Sequence, residues 1–134
     1  MHYFALRSRV AGLVLVAAAA LPAQGIVTVD KAVVLYGSTS NTSRPASVDL
    51  EKVRKETPEH ETIRSERVRK GSARYQLLTA NMHKRIKKAA KEAAKEDGHD
   101  CVVREDDVDD DRGLNVVDLT DKVIEHLETD DSRP

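Results

Sequence analysis

The chain has 134 residues, of which 34% are charged and 3% aromatic, with no tryptophan, one cysteine and a formal net charge of −1. That length leaves room for one small domain, and the scarcity of large apolar side chains excludes a deep core for a lone globule of this size. The single Cys101 excludes an internal disulfide, and the near-zero net charge hides an asymmetry: residues 51–95 carry 14 Lys/Arg against 6 Asp/Glu, residues 96–134 carry 4 against 15.

Residues 1–25 read as a cleavable export signal. Arg7 and Arg9 precede an apolar run, Val10 to Leu21, that is too short to span a bilayer, and Ala23 and Gly25 put small residues at the −3 and −1 positions. Cleavage is expected after Gly25, with Ala23 the neighbouring choice. A membrane anchor is the competing reading, and the short, Ala-rich run speaks against it. The mature chain then has a net charge of −3.

Residues 26–45 form an N-terminal strand and polar linker. "GIVTVDKAVVLYG" (25–37) is Val-rich and ends at Gly37, as one strand does, and "STSNTSRP" (38–45) is rich in turn formers. A short strand over Ala46 to Val48 follows. Asp49 is placed to cap a helix, Thr57-Pro58 to renew it, and Gly71-Ser72 to turn the chain. From Ala73 to Asp97 the apolar residues Tyr75, Leu78, Met82, Ile86, Ala89 or Ala90, and Ala93 fall on one seam of a helix, which Gly98 stops. Two antiparallel limbs of roughly 20–25 residues, covering about 49–97, make an arm on the order of 30–38 Å long.

Residues 99–105 alternate into a strand, 106–113 are an acidic turn, and 114–119 hold a last short strand. Thr120 is placed to cap a helix from Asp121 to Glu128 with Val123, Ile124 and Leu127 on one face, and 129–134 read as a disordered tail. The fold class is α+β: a small β body with a projecting helical hairpin. So thin a body asks for neighbours, which argues for self-association.

No catalytic set emerges. His60, His83, His99 and His126 are scattered over different elements, and the chain has no Gly-rich phosphate loop, nucleophile elbow or metal-spaced Cys/His group, so neither an enzyme nor a cofactor is expected. Cys101, beside Val102 and Val103, reads as a small buried strand residue. Asp107, Asp109 and Asp111 alternate as in a calcium loop, with Asn115 and Asp118 at the ninth and twelfth places. Arg112 stands where that loop needs Gly, however, and its bidentate Glu is missing, which leaves a calcium-responsive module as the weaker alternative.

Arg64, Arg67, Arg69, Lys70 and Arg74 surround the turn at Gly71 with only Glu66 opposing them in sequence. Without interleaved aromatics, and behind an export signal, this basic patch does not point to nucleic acid. Anionic lipid headgroups, lipopolysaccharide phosphates or acidic polypeptide segments are the expected anions.

Three stretches carry a resemblance. "ASVDLEKVRKETPEHETI" (46–63) resembles the strand-to-helix junction of the Skp (OmpH-like) periplasmic chaperones, "RIKKAAKEAAKEDGHDCVV" (85–103) is similar to that family's returning helix, Gly stop and re-entering strand, and "DLTDKVIEHL" (118–127) to its closing segment. Together they cover 46–128, and their order and spacing carry the weight. The resemblance implies a short-armed homotrimer whose subunits share a β-barrel body and whose arms hold unfolded outer-membrane proteins in the periplasm. Tyr75, Leu78 and Met82 would be the client-facing apolar residues. An envelope coiled-coil adaptor without chaperone activity is the rival, and it would bury all three.

Overall fold

The computed structural model describes residues 25–131. Apart from Gly25, the expected export signal lies outside the described residues, as do the last three positions of the expected tail. In chain order the elements are β1 (Val27–Thr28), β2 (Val34–Gly37), β3 (Pro45–Val48), α1 (Leu50–Lys55), α2 (Pro58–Ser65), α3 (Ala73–Asp97), β4 (Cys101–Arg104), a 3-10 turn (Glu105–Asp107), β5 (Val108–Asp110), β6 (Val117–Asp118) and α4 (Thr120–Asp131).

The fold is α+β, built on an open four-stranded sheet of order β2-β4-β3-β6. β3 runs parallel to both β4 and β6, and β2 runs antiparallel to β4. Parallel neighbours need a long crossover, and α1–α3 supply it between β3 and β4. β1 and β5 form a separate antiparallel ribbon. The expected single strand over 25–37 is thus two strands in two sheets. Lys31 breaks it by adopting a positive φ of 61°, while Ala32 N–H donates to the Val29 carbonyl at 3.2 Å.

The first limb of the hairpin is far shorter than the expected 20–25 residues. α1 has six and α2 eight. Pro58 lacks the N–H that would continue α1 and forces the preceding residue out of helical geometry. Thr57 is accordingly extended, and its hydroxyl accepts from His60 N–H at 3.3 Å to start α2. Among the described residues α3 is the one long helix, 25 residues or about 37 Å. Ser72 caps its start, accepting from Tyr75 N–H at 3.1 Å, and Gly98 ends it with φ 74°.

α3 is also the spine of the core. Met82, Ile86, Ala89, Ala90, Ala93 and Ala94 are buried along one stripe. They pack into one cluster with Leu35, Val48 and Val102 of the strands, Leu50 and Val53 of α1, and Val123 and Leu127 of α4. α1 is anchored to this cluster by its two buried residues, Leu50 and Val53.

Two side-chain knots fix the chain ends of these elements. Asp100 accepts from the Thr42 hydroxyl, from Ser43 N–H at 3.0 Å and from Arg44 N–H at 3.2 Å, which holds the loop before β3 against the start of β4. The Thr120 hydroxyl donates to Asp118 at 2.5 Å and accepts from Asp49 N–H at 2.9 Å. Thr120 is therefore not the side-chain cap expected for α4: its hydroxyl joins the starts of α1 and α4 instead. α4 also runs on through Asp131, three residues into the expected tail.

Two consequences are measurable. Ile86→Asp puts an unpaired charge into the core and should destabilise the protein by about 3–5 kcal/mol in chemical denaturation, whereas Leu77→Asp, at a position 62% exposed, should change little. Equal midpoints for the two variants would show the stripe to be misplaced. Burial alone would raise the Asp100 carboxyl, but its hydrogen bonds from Thr42, Ser43 and Arg44 outweigh that and hold it down at about 2. A depressed carboxylate stabilises the fold above its unfolded value of 3.8 and loses that contribution as pH falls through 2. Discounted for its exposure, the effect is on the order of 1 kcal/mol. Asp100→Asn should remove this part of the acid sensitivity between pH 4 and pH 2; an unaltered acid profile would count against it.

Candidate binding surface

The turn between α2 and α3 is built from hydrogen bonds to backbone carbonyls. Glu66 N–H donates to Thr62 at 3.0 Å and Val68 N–H to Ile63 at 3.0 Å, and the Ser72 hydroxyl donates to the Arg69 carbonyl at 2.7 Å. Arg67 and Gly71 take positive φ of 51° and 84°. In so tight a turn Val68 alone turns inward, half-buried, and Arg67, Arg69 and Lys70 are all exposed.

The structure divides the five basic residues of this region. Arg74 is paired with Glu66, and Arg64 with Glu61 at 2.9 Å, one helical turn away. The sequence reading counted Glu66 as an opponent and overlooked Glu61, although the i,i+3 spacing from Glu61 to Arg64 announces that pair. Arg67, Arg69 and Lys70 remain as the cationic face of the tip.

The three apolar candidates also part company. Tyr75 and Leu78 are half-buried, but Met82 is 6% exposed and belongs to the core. What little of Met82 is open faces the cleft described below rather than the outer face of the arm. Leu77, which sequence reasoning passed over because it lies off the seam, is the exposed apolar residue beside them. Being off the seam was itself the signal: a Leu outside the buried stripe has to face solvent.

Below the tip is a cleft of about 620 Å³. Ile63, Val68, Tyr75 and Met82 give it apolar walls, and Arg54, His60, Lys70 and Thr79 give it polar ones, with Glu51 at the α1 end. Glu51 is paired with Arg54 at 3.0 Å. Next to it, the His83 imidazole is held below its ordinary value by burial and by the neighbouring charges of Lys87 and Arg54.

The remaining chemistry-bearing groups are structural. Cys101 is fully buried, and burial with the nearby Asp100 charge pushes its thiol up to about 11, so no thiolate nucleophile forms near neutrality. His99 sets Nδ1 3.2 Å from the Arg44 carbonyl. Asp107 is buried, held at 2.7 and 3.0 Å by Arg104 and at 2.7 Å by Val33 N–H; the bond from Arg104 is the main reason its carboxyl lies below the usual range. Asp118 accepts from Thr120, and β5 runs extended through residues 108–110, so the acidic side chains do not converge as a calcium loop requires. Among the described residues no group of three or more His, Cys, Asp or Glu is arranged to hold a metal ion, and no helix is long and apolar enough to cross a membrane.

Comparison of the chain with protein-family models, with curated proteins and with solved structures returns no match.

Attraction between the tip and an anionic surface is screened beyond about 8 Å at physiological salt, and each basic residue at such a surface contributes about 1 kcal/mol. Replacing Arg67, Arg69 and Lys70 together by Gln should weaken cosedimentation with anionic vesicles by roughly a hundredfold and flatten its salt dependence, with circular dichroism unchanged. Absence of vesicle binding by the parent protein at low salt would remove this role from the tip.

Proposed function

We propose that the chain is a periplasmic holdase of the Skp type, which self-associates through its β body and holds unfolded outer-membrane proteins against a short helical arm. One observation carries this reading: a strand (β3) leads into a helical excursion, and a Gly-stopped helix returns to a parallel neighbouring strand (β4) before a closing helix (α4). That is the order in which the three family-like stretches occur in the sequence. The exposed Leu77 and half-buried Tyr75 and Leu78 suit weak, multivalent contact with apolar clients, and the basic tip suits anionic surfaces or acidic client segments.

The short α2 limb suits shallow contact rather than a deep cage. A structural adaptor of the envelope is the second reading, favoured by the burial of Met82, since an adaptor has no need of a free apolar face. A holdase leaves apolar surface available and suppresses aggregation; an adaptor does not.

The purified mature protein should have the mass of a trimer at tens of micromolar and should suppress aggregation of an unfolded β-barrel membrane protein diluted from denaturant. A monomer with a cooperative thermal transition would contradict the self-association drawn from the thin core. A trimer that leaves aggregation unaffected would favour the adaptor.

A further inference from the structure

The cleft beneath the tip has features that general stickiness toward unfolded chains does not require. Its volume, about 620 Å³, lies within the range of about 300–1,000 Å³ in which pockets hold discrete ligands. Its walls are also mixed. Ile63, Val68 and Tyr75 give an apolar lining, while His60, Lys70 and Thr79 interrupt it with polar groups. An acyl chain is matched by continuous apolar walls, and a sugar or nucleotide by polar ones. A ligand whose own side chains alternate matches a wall of this kind, as an extended peptide does, because successive residues of a strand point to opposite sides.

The charges select among peptides. The cleft is lined by two permanent cations, Arg54 and Lys70, and one carboxylate, Glu51. Glu51 is matched to Arg54 at 3.0 Å, so the net charge is that of Lys70, which is exposed and has Arg67 and Arg69 as near neighbours in the same turn. A basic segment would meet repulsion here. An acidic one would meet a cation whose ammonium forms no ion pair with the carboxylates of the described residues.

We propose that this cleft binds an extended peptide segment in which apolar and acidic side chains alternate, the apolar ones entering between Ile63, Val68 and Tyr75 and a carboxylate meeting Lys70. The inference rests on the client-holding reading, to which it adds a discrete site with a charge preference. Unfolded polypeptides would then be held at two levels, loosely by the exposed Leu77 and half-buried Leu78 of α3 and selectively by the cleft.

The test is a titration of the full mature protein with fluorescein-labelled hexapeptides of alternating Leu and Asp, Leu and Lys, or Leu and Ser, followed by anisotropy. Dodecanoate serves as competitor. The variants are Lys70→Glu, which reverses an exposed charge, and Thr79→Trp, which fills the cleft from an exposed helical position without removing a core side chain. Lys84→Glu, exposed on α3 outside the cleft lining, is the control. The Leu/Asp peptide should bind about tenfold more tightly than the Leu/Lys peptide. Lys70→Glu and Thr79→Trp should each weaken it about tenfold while Lys84→Glu does not, with the helical signal of every variant intact.

Equal binding of all three peptides, no binding by the parent protein, or insensitivity to both cleft variants would overturn the assignment. Displacement by dodecanoate at lower concentration than by unlabelled peptide would overturn it in favour of an acyl-chain site. Suppression of barrel-protein aggregation is measured alongside. If it persists while the peptide results fail, the cleft inference falls and the holdase reading stands. If the parent protein shows no suppression, the holdase reading falls instead.

Discussion

The domain depends on how closely α3 approaches the sheet and α4, and four alanines set that distance. Ala89, Ala90, Ala93 and Ala94 are each no more than 4% exposed. Their spacing places them on one stripe, where the absence of side-chain bulk lets the helix backbone come near its neighbours. Val48, Val102, Val123 and Leu127 can then fill the remaining space with modest volumes. Alanine also forms helix without loss of side-chain entropy. A chain poor in large apolar residues thus closes a core by proximity rather than by bulk, at the cost of tolerance: any larger side chain on that stripe meets an already filled interior.

Proximity of α3 and α4 also offsets part of the charge asymmetry. Lys88 of α3 lies 3.3 Å from Asp130 of α4 and Arg85 3.9 Å from the same carboxylate, pairing the basic middle with the acidic end, as Lys52 of α1 does with Asp121 at 3.3 Å. Lys122 and His126 of α4 meet Asp97 and Glu96 of α3, at 2.5 and 2.7 Å, within the acidic end itself. Arg85 reaches across to Glu59 of α2 at 3.0 Å. The pairs on the open surface contribute little each, about 0–1 kcal/mol, so they orient the helices more than they hold them, whereas the Arg85–Glu59 pair, with Glu59 buried, is the least screened of the set. These pairs do not use up the cations of the body, since Lys84, Lys87, Lys91 and Lys95 on α3 are exposed and form no ion pair among the described residues; the distal turn is distinguished by gathering Arg67, Arg69 and Lys70 into one short stretch.

The features legible in the sequence are those whose cause is local. Asp49, Thr57 and Ser72 cap the helices that follow them, and Gly98 ends α3 in the left-handed conformation, each through contacts within a few residues. The apolar seam of α3 was legible because burial repeats with the helical period. What escaped was long-range. Nothing local distinguishes Val27–Thr28, which pairs with residues 108–110, from Val34–Gly37, which pairs with 101–103. Asp107 looked like part of a solvated acidic turn because its partners include the backbone of Val33, 74 positions away. Thr120 looked like a cap because the N–H it accepts from belongs to Asp49. At the candidate surface, the basic tip could be read directly, whereas the cleft, made by α1, α2, the turn and α3 together, exists only once the chain has turned back on itself.

That same distinction gives the N-terminal segment its place. β3 and β4 are interior strands with both edges paired, so the four-stranded sheet ends at β2 on one side and at β6 on the other. β6 offers two residues, too few for a durable ladder; β2 offers four. The β1–β5 ribbon is a two-stranded unit of a kind that is marginal without further support, and Val29 just beyond β1 is 42% exposed. Residues 26–45 therefore contribute the longer free edge of the sheet and half of the ribbon. The edge with four residues to offer a further strand is therefore β2, in a part of the chain that lies outside the three family-like stretches.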